Sequence, residues 1–166
     1  MSFEVLVLSD THIPARTQQQ PDAVIEAAES APDLIVHAGD LVDEEVLRSL
    51  ERFAPVQAVA GNMDPQELLQ QLPRRREIDA GGIAIGVMHG DALSSPRSGS
   101  SEELVDEFPG MDVVITGHTH VPGLTFLNGV WIFNPGSPTD PRGGSECAFG
   151  WIEIDAGGIQ FSLRVF

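Results

Sequence analysis

Phe3-Glu4-Val5-Leu6-Val7-Leu8-Ser9-Asp10-Thr11-His12 decides the fold class of this chain. The aliphatic and β-branched run reads as a central strand that halts at Ser9-Asp10, with Pro14 close behind. A carboxylate and an imidazole therefore emerge together just beyond a strand's carboxyl end. An Asx-type turn with an incidental histidine explains the same residues equally well. Residues 21–29 follow with helical spacing, Val24, Ile25 and Ala28 on one face and Pro21 in the first turn. Residues 33–38 form a second apolar run ending in Gly39-Asp40, and a helix over 43–53 has acids in its first turn. Asp40 would also serve as that helix's cap. Residues 56–60 are a third run, ending in Gly61-Asn62-Met63-Asp64-Pro65, before a short helix to about Leu72. Strands alternating with helices predict a parallel sheet with functional groups at the strands' carboxyl ends.

The second half reads differently. Residues 74–79 and 83–88 are two strands around Ala80-Gly81-Gly82, the first opening on an arginine run expected at a solvated sheet edge. The second ends in His89-Gly90-Asp91. Residues 92–100 read as a loop and 101–108 as a helix. Residues 112–116 form a buried strand leading into Gly117-His118-Thr119-His120. An extended His-x-His would put both rings on one side of the chain. Asn128-Gly129 between two apolar runs signals a hairpin, and residues 148–154 and 159–165 form another. Hairpins predict antiparallel pairing, so two sheets packed together with helices outside accommodate both halves. The length of 166 residues, without a repeat or linker, suits one domain spanning residues 1–166.

The net charge of −16 and nine basic residues, all arginine, oppose nucleic-acid and anionic-membrane binding. A lone cysteine, Cys147, forms no internal disulfide, and the N-terminus lacks a basic leader. A cytoplasmic location is expected. An anionic substrate would need a local positive centre, which bound metal supplies.

Collected, the strand-end residues are Asp10, His12, Asp40, Asn62, His89, His118 and His120, which include four of the five histidines. Each alone has a structural explanation, but five strand ends supplying only Asp, Asn and His do not share one. The order Asp-x-His, Gly-Asp, Gly-Asn-x-Asp, His-Gly, Gly-His-Thr-His resembles the calcineurin-like metallophosphoesterase superfamily. It is most similar to the small single-domain prokaryotic phosphodiesterases, whose turns also match Asn134-Pro135-Gly136-Ser137-Pro138 and Pro141-Arg142-Gly143-Gly144.

The resemblance implies an α/β fold of two packed mixed β-sheets flanked by helices, a four-layer α/β/β/α sandwich. It implies a phosphodiesterase with two divalent metal ions and a small phosphoester substrate. Asp10, His12, Asp40 and His120 would hold one metal, and Asp40, Asn62, His89 and His118 the other, with Asp40 bridging. Mixed imidazole, carboxylate and amide donors suit manganese first, then nickel, iron or zinc, better than magnesium or calcium. Two cations roughly 3.5–4 Å apart would deprotonate a water between them for in-line attack on phosphorus. Self-association is also implied, since small members often form oligomers.

Larger members carry a histidine after the Asn, where this chain has Met63, which can protonate no leaving group. Substrates with good leaving groups, such as aryl phosphodiesters, are therefore expected. Asp64 is the catalytic candidate outside the ligand set, orienting Asn62 or a ligand imidazole, with a helix N-cap as the alternative. Arg142 would either meet substrate phosphate or be structural. His37, inside a strand, reads as a core histidine. Two further readings stand beside the diesterase. One is a non-catalytic scaffold resembling the retromer subunit of this fold, against which the intact ligand set counts. The other is a phosphomonoesterase.

Overall fold

Apolar runs with strand periodicity dominate the computed structural model, which describes residues 1–94 and 101–166. In chain order the elements are β1 (Phe3–Leu8), α1 (Asp22–Glu29), β2 (Leu34–His37), α2 (Glu44–Glu51), β3 (Val56–Ala58), α3 (Gln66–Gln71) and β4 (Arg75–Ala80). Then come β5 (Ile83–Met88), α4 (Ser101–Glu107), β6 (Val113–Ile115), β7 (Gly123–Leu127), β8 (Val130–Asn134), β9 (Ala148–Asp155) and β10 (Gly158–Val165). Part of the loop expected over residues 92–100 lies outside the described residues.

Two five-stranded mixed sheets result, ordered β10-β9-β1-β2-β3 and β4-β5-β6-β8-β7. The first keeps β1, β2 and β3 parallel, as the strand-helix alternation requires, and adds the β9–β10 hairpin antiparallel beside β1. The second is mixed as well, going beyond the antiparallel pairing that its hairpins alone imply: β6 pairs parallel with both β5 and β8. The fully buried Val113-Val114-Ile115 needs neighbours on both sides, and α4 supplies the crossover that a parallel β5–β6 pair demands.

Apolar side chains fill three layers. Val5, Val7, Val36, Ile85, Val87, Ile115 and Phe133 meet between the sheets. Leu6, Leu8 and Ile35 on the opposite face of the first sheet pack under Val24, Val46, Leu50 and Leu68 of the first three helices. Val114, Val130 and Ile132 on the outer face of the second sheet pack under Leu104 and Phe108. The layering is α/β/β/α. No helix among the described residues is long and apolar enough to cross a membrane.

The arginine run does more than solvate an edge. Arg76 donates to Ala58 O at 3.2 Å and Gln57 Oε1 at 2.7 Å, joining edge strand β4 of one sheet to edge strand β3 of the other. Arg74 reaches Gly61 O at 3.0 Å, inside a loop of the candidate site.

Candidate metal centre

The carboxyl ends of β1, β2, β5 and β6 converge, and their following loops carry the candidate ligands. The local backbone there is unusual. Asp10, His12, Asp40, His118 and His120 have φ of 55°, 46°, 58°, 67° and 60°, a left-handed region that non-glycine residues seldom occupy. The His-x-His segment is thus not extended, and its rings part company. His120 packs against His12 with ring centroids 5.0 Å apart, while His118 meets His89 edge-on at 5.2 Å. Close approach also explains two glycines. A Cβ on Gly117 would collide with Ser9 Oγ, and one on Gly61 with Asp40 Oδ1.

Each carboxylate has one oxygen fixed and one aimed at imidazoles. Asp10 Oδ2 accepts from Ser9 Oγ at 2.6 Å and His118 N at 2.9 Å. Asp10 Oδ1 has no hydrogen-bond partner among the described residues, and faces Nε2 of His120 at 3.2 Å, His12 at 3.7 Å and His89 at 3.7 Å. Asp40 Oδ1 accepts from Met63 N at 2.8 Å. Asp40 Oδ2 faces His89 Nε2 at 3.1 Å and His12 Nε2 at 3.6 Å.

The imidazoles are oriented from behind. His89 Nδ1 donates to Ala38 O at 2.7 Å and His120 Nδ1 to Asp140 O at 2.5 Å. In the neutral ring that donation leaves the Nε2 lone pair pointing into the cluster, the geometry a metal ligand requires. His89 Nε2 is itself buried without an aligned partner. Two groups of three ligand atoms form, Asp10-His12-His120 and Asp10-Asp40-His89, each within 4.8 Å. Buried orphan atoms that both offer lone pairs, a carboxylate oxygen and an imidazole nitrogen, fit divalent cations.

The electrostatics follow from this crowding. Burial alone would push the Asp10 carboxyl up, but the close approach of the His12 and His120 imidazoles and the charge of His89 hold it well below the usual carboxylate range. Burial disfavours the charged form of His89, yet Asp40 and Asp10 outweigh it and push His89 up to about 9. His118 is lowered by burial and by His89.

The sequence profile of the calcineurin-like phosphoesterase superfamily domain matches residues 3–157. The chain belongs to that superfamily. Among relatives, it is 41% identical over 136 residues to a probable metallophosphoesterase of Methanocaldococcus jannaschii, covering 82% of this chain and 68% of that one. It is 42% identical over 138 residues to a probable metallophosphoesterase of Methanothermobacter thermautotrophicus, covering 82% and 77%. Among solved structures, a Thermotoga maritima protein superposes with a TM-score of 0.75 at 30% identity, covering 98% of this chain and 99% of its own. Zinc-complexed Vps29 of Entamoeba histolytica gives 0.71 at 24% identity over 98% of both chains, a likeness of fold.

Within this superfamily site the remaining candidates divide. Asp64 is buried and its carboxylate accepts from Gly61 N at 2.8 Å, Asp40 N at 3.0 Å and Val42 N at 2.7 Å. It is no helix cap: Pro65 precedes α3 without a side-chain bond. Asp64 instead ties the Asp40 loop to the Asn62 loop, its own carboxyl raised by burial against those three donors. Asn62 is exposed and makes no hydrogen bond to a described residue; Met63 N, not the Asn62 side chain, reaches Asp40. Asp40 does not cap α2; that is Asp43, accepting from Glu45 N at 2.8 Å. Arg142 pairs with Asp140 Oδ2 at 3.2 Å. His37 is buried, accepting from Gly39 N and meeting Thr11 Oγ1.

Sequence reasoning passed over the braces. Ser137 Oγ donates to Asp10 O at 2.7 Å and Thr139 Oγ1 to Thr11 O at 2.6 Å, so the Pro-Gly turn near residue 136 supports the first ligand loop. Asp140 meets His120 Nδ1 through its carbonyl at 2.5 Å, with its carboxylate Oδ2 3.4 Å from the same nitrogen, and its place in a Pro-Gly turn gave no sign of either contact.

Proposed function

We propose that this protein is a metal-dependent phosphodiesterase acting on a small phosphoester through two divalent transition-metal ions. Asp10, His12, Asp40 and His120 would hold one ion, and Asp40, Asn62, His89 and His118 the other, manganese being the first choice. The observation that supports this most is the pair of backbone carbonyls, Ala38 O and Asp140 O, that turn His89 and His120 Nε2 onto Asp40 and Asp10. Zinc in the Entamoeba Vps29 structure supports a transition-metal occupant.

When bound, the two cations would acidify a water and neutralise charge growing on the phosphoryl oxygens. The chain's own residues preorganise that site. Ser9 and His118 N hold one Asp10 oxygen, Met63 N holds one Asp40 oxygen, and Asp64 fixes the loop that presents Asp40. Met63 is 58% exposed, and its thioether has no proton to give. The leaving group must therefore depart unaided from that side, which favours acidic alcohols. With no arginine of the described residues paired to the clustered Asp10 and Asp40 carboxylates, phosphate recognition would fall to the bound metals.

Metal-stripped protein refilled with Mn²⁺, Ni²⁺, Zn²⁺ or Mg²⁺ tests this against bis-p-nitrophenyl phosphate and p-nitrophenyl phosphate. The expected result is metal-dependent turnover of the diester, abolished in Asp40→Ala and His118→Ala. Faster turnover of the monoester would replace the diesterase by a phosphomonoesterase. No turnover of either ester with any metal would overturn the enzymatic reading in favour of a scaffold.

A further inference from the structure

A cavity of about 340 Å³ opens beside His118, on the outer face of the second sheet. Strand register builds it: the pairs Gly123–Asn134 and Thr125–Ile132 face it, while Phe126 and Trp131 alternate to the opposite face, where Trp131 meets Phe161. Leu93 and Leu104 close it from the other side. His118 lines the cavity and also packs its ring on His89, so one side chain joins this space to the ligand cluster.

Its chemistry is selective. Although the chain carries a net charge of −16, no carboxylate and no arginine among the described residues lines the cavity, and His118 is the one titratable group in its described lining. Thr119 Oγ1 accepts from Asn134 Nδ2 at 3.0 Å and Val121 N at 3.3 Å, which occupies its lone pairs, so the hydroxyl engages a ligand as a donor. An apolar floor with a few placed polar groups is the composition of a small-molecule site.

We propose that this cavity receives the organic arm of the phosphoester substrate, an uncharged ring-bearing alcohol whose acceptor oxygen meets Thr119. The proposal rests on the phosphodiesterase reading and narrows its substrate class: arms bearing a second phosphate or a carboxylate find no arginine here among the described residues. Aryl and nucleoside alcohols share the required chemistry.

Amide chemical shifts of the zinc-loaded protein, titrated with benzamide, uridine and benzoate, test it. The expected result is that benzamide moves Thr119, Gly123 and Thr125, that benzoate does not, and that Thr125→Trp abolishes the shifts. Gly123→Leu gives an independent check, because a Cβ there meets nothing within 4 Å. Shifts with uridine as well would extend the arm to nucleosides. No shifts with either neutral probe, or shifts that survive both substitutions, would overturn the proposal. In turnover, Thr125→Trp should raise KM for bis-p-nitrophenyl phosphate about tenfold with metal content unchanged. An unchanged KM would also overturn it. If wild-type protein hydrolyses no phosphoester, the enzymatic reading fails while the titration still decides the cavity.

Discussion

Nε2 of His12 and Nε2 of His120 stand 3.2 Å apart, although 108 residues separate them in the chain. His120 Nδ1 is committed to Asp140 O, so its Nε2 presents a lone pair to His12 and to Asp10 Oδ1. Two imidazole nitrogens and a carboxylate oxygen so close together are the donor set that a divalent cation takes. Removing one imidazole should therefore empty one site and spare the other. His120→Ala is expected to retain one metal ion per chain where wild type retains two, measured by elemental analysis after dialysis. Retention of two ions by the variant would refute this division of ligands.

Asp64 predicts a defect of a different kind. Its carboxylate satisfies three backbone N–H groups in two loops, and each donor stranded in the interior costs about 1–3 kcal/mol. Asp64→Ala should lower unfolding free energy by about 3 kcal/mol and accelerate amide exchange at Asp40, Val42 and Gly61. Asp64→Asn, which keeps an acceptor oxygen, should recover part of the loss. Exchange unchanged at those three amides would remove Asp64 as the tie.

His37 carries a pH dependence whose sign is fixed. Burial lowers its imidazole from 6.5 to about 3. Between those values the unfolded chain binds a proton that the folded chain refuses, so stability falls as pH drops below 6.5. The contribution of this one group from pH 7 to pH 5 is about 2 kcal/mol. Urea unfolding of metal-free wild type and His37→Gln at both pH values isolates it: the variant should lose less on acidification. Equal losses would mean that His37 does not stay neutral in the folded state.

Met63 stands exposed beside the Asn62 loop, where larger members of the superfamily carry histidine. Introducing Met63→His should raise turnover of diesters with poor leaving groups and leave p-nitrophenyl esters nearly unchanged, since only the former need a proton. The slope of log kcat against leaving-group pKa measures this directly. A slope identical to wild type would show that the missing acid is supplied elsewhere.

Much of this was legible because strand ends are marked in two ways at once. Val5 to Leu8 ends in Ser9-Asp10, and Leu34 to His37 leads to Gly39-Asp40, so periodicity located the loops and residue type located the chemistry. Asn128 at φ 50° with Gly129 at 84° formed the hairpin turn that the dipeptide announced. What stayed hidden depends on partners distant in sequence. The continuous run Val113-Val114-Ile115 has the composition of a strand buried on both faces, but nothing in it names β8 as a parallel neighbour. The left-handed backbone at His118 and His120 is imposed by the surrounding loops rather than by glycine or asparagine, so the extended reading of His-x-His had no local warning. Asp64 followed by Pro65 looks like a cap, and only the folded chain brings Asp40 and Val42 to its carboxylate.

The central claim is that the converging Asp and His side chains form a two-metal hydrolytic site. Titrating metal-free protein with Mn²⁺ while following bis-p-nitrophenyl phosphate hydrolysis tests it most directly. The account predicts that activity rises and levels off at two equivalents of metal per chain. Activity that is complete at one equivalent, or that never appears although two ions bind, would contradict it.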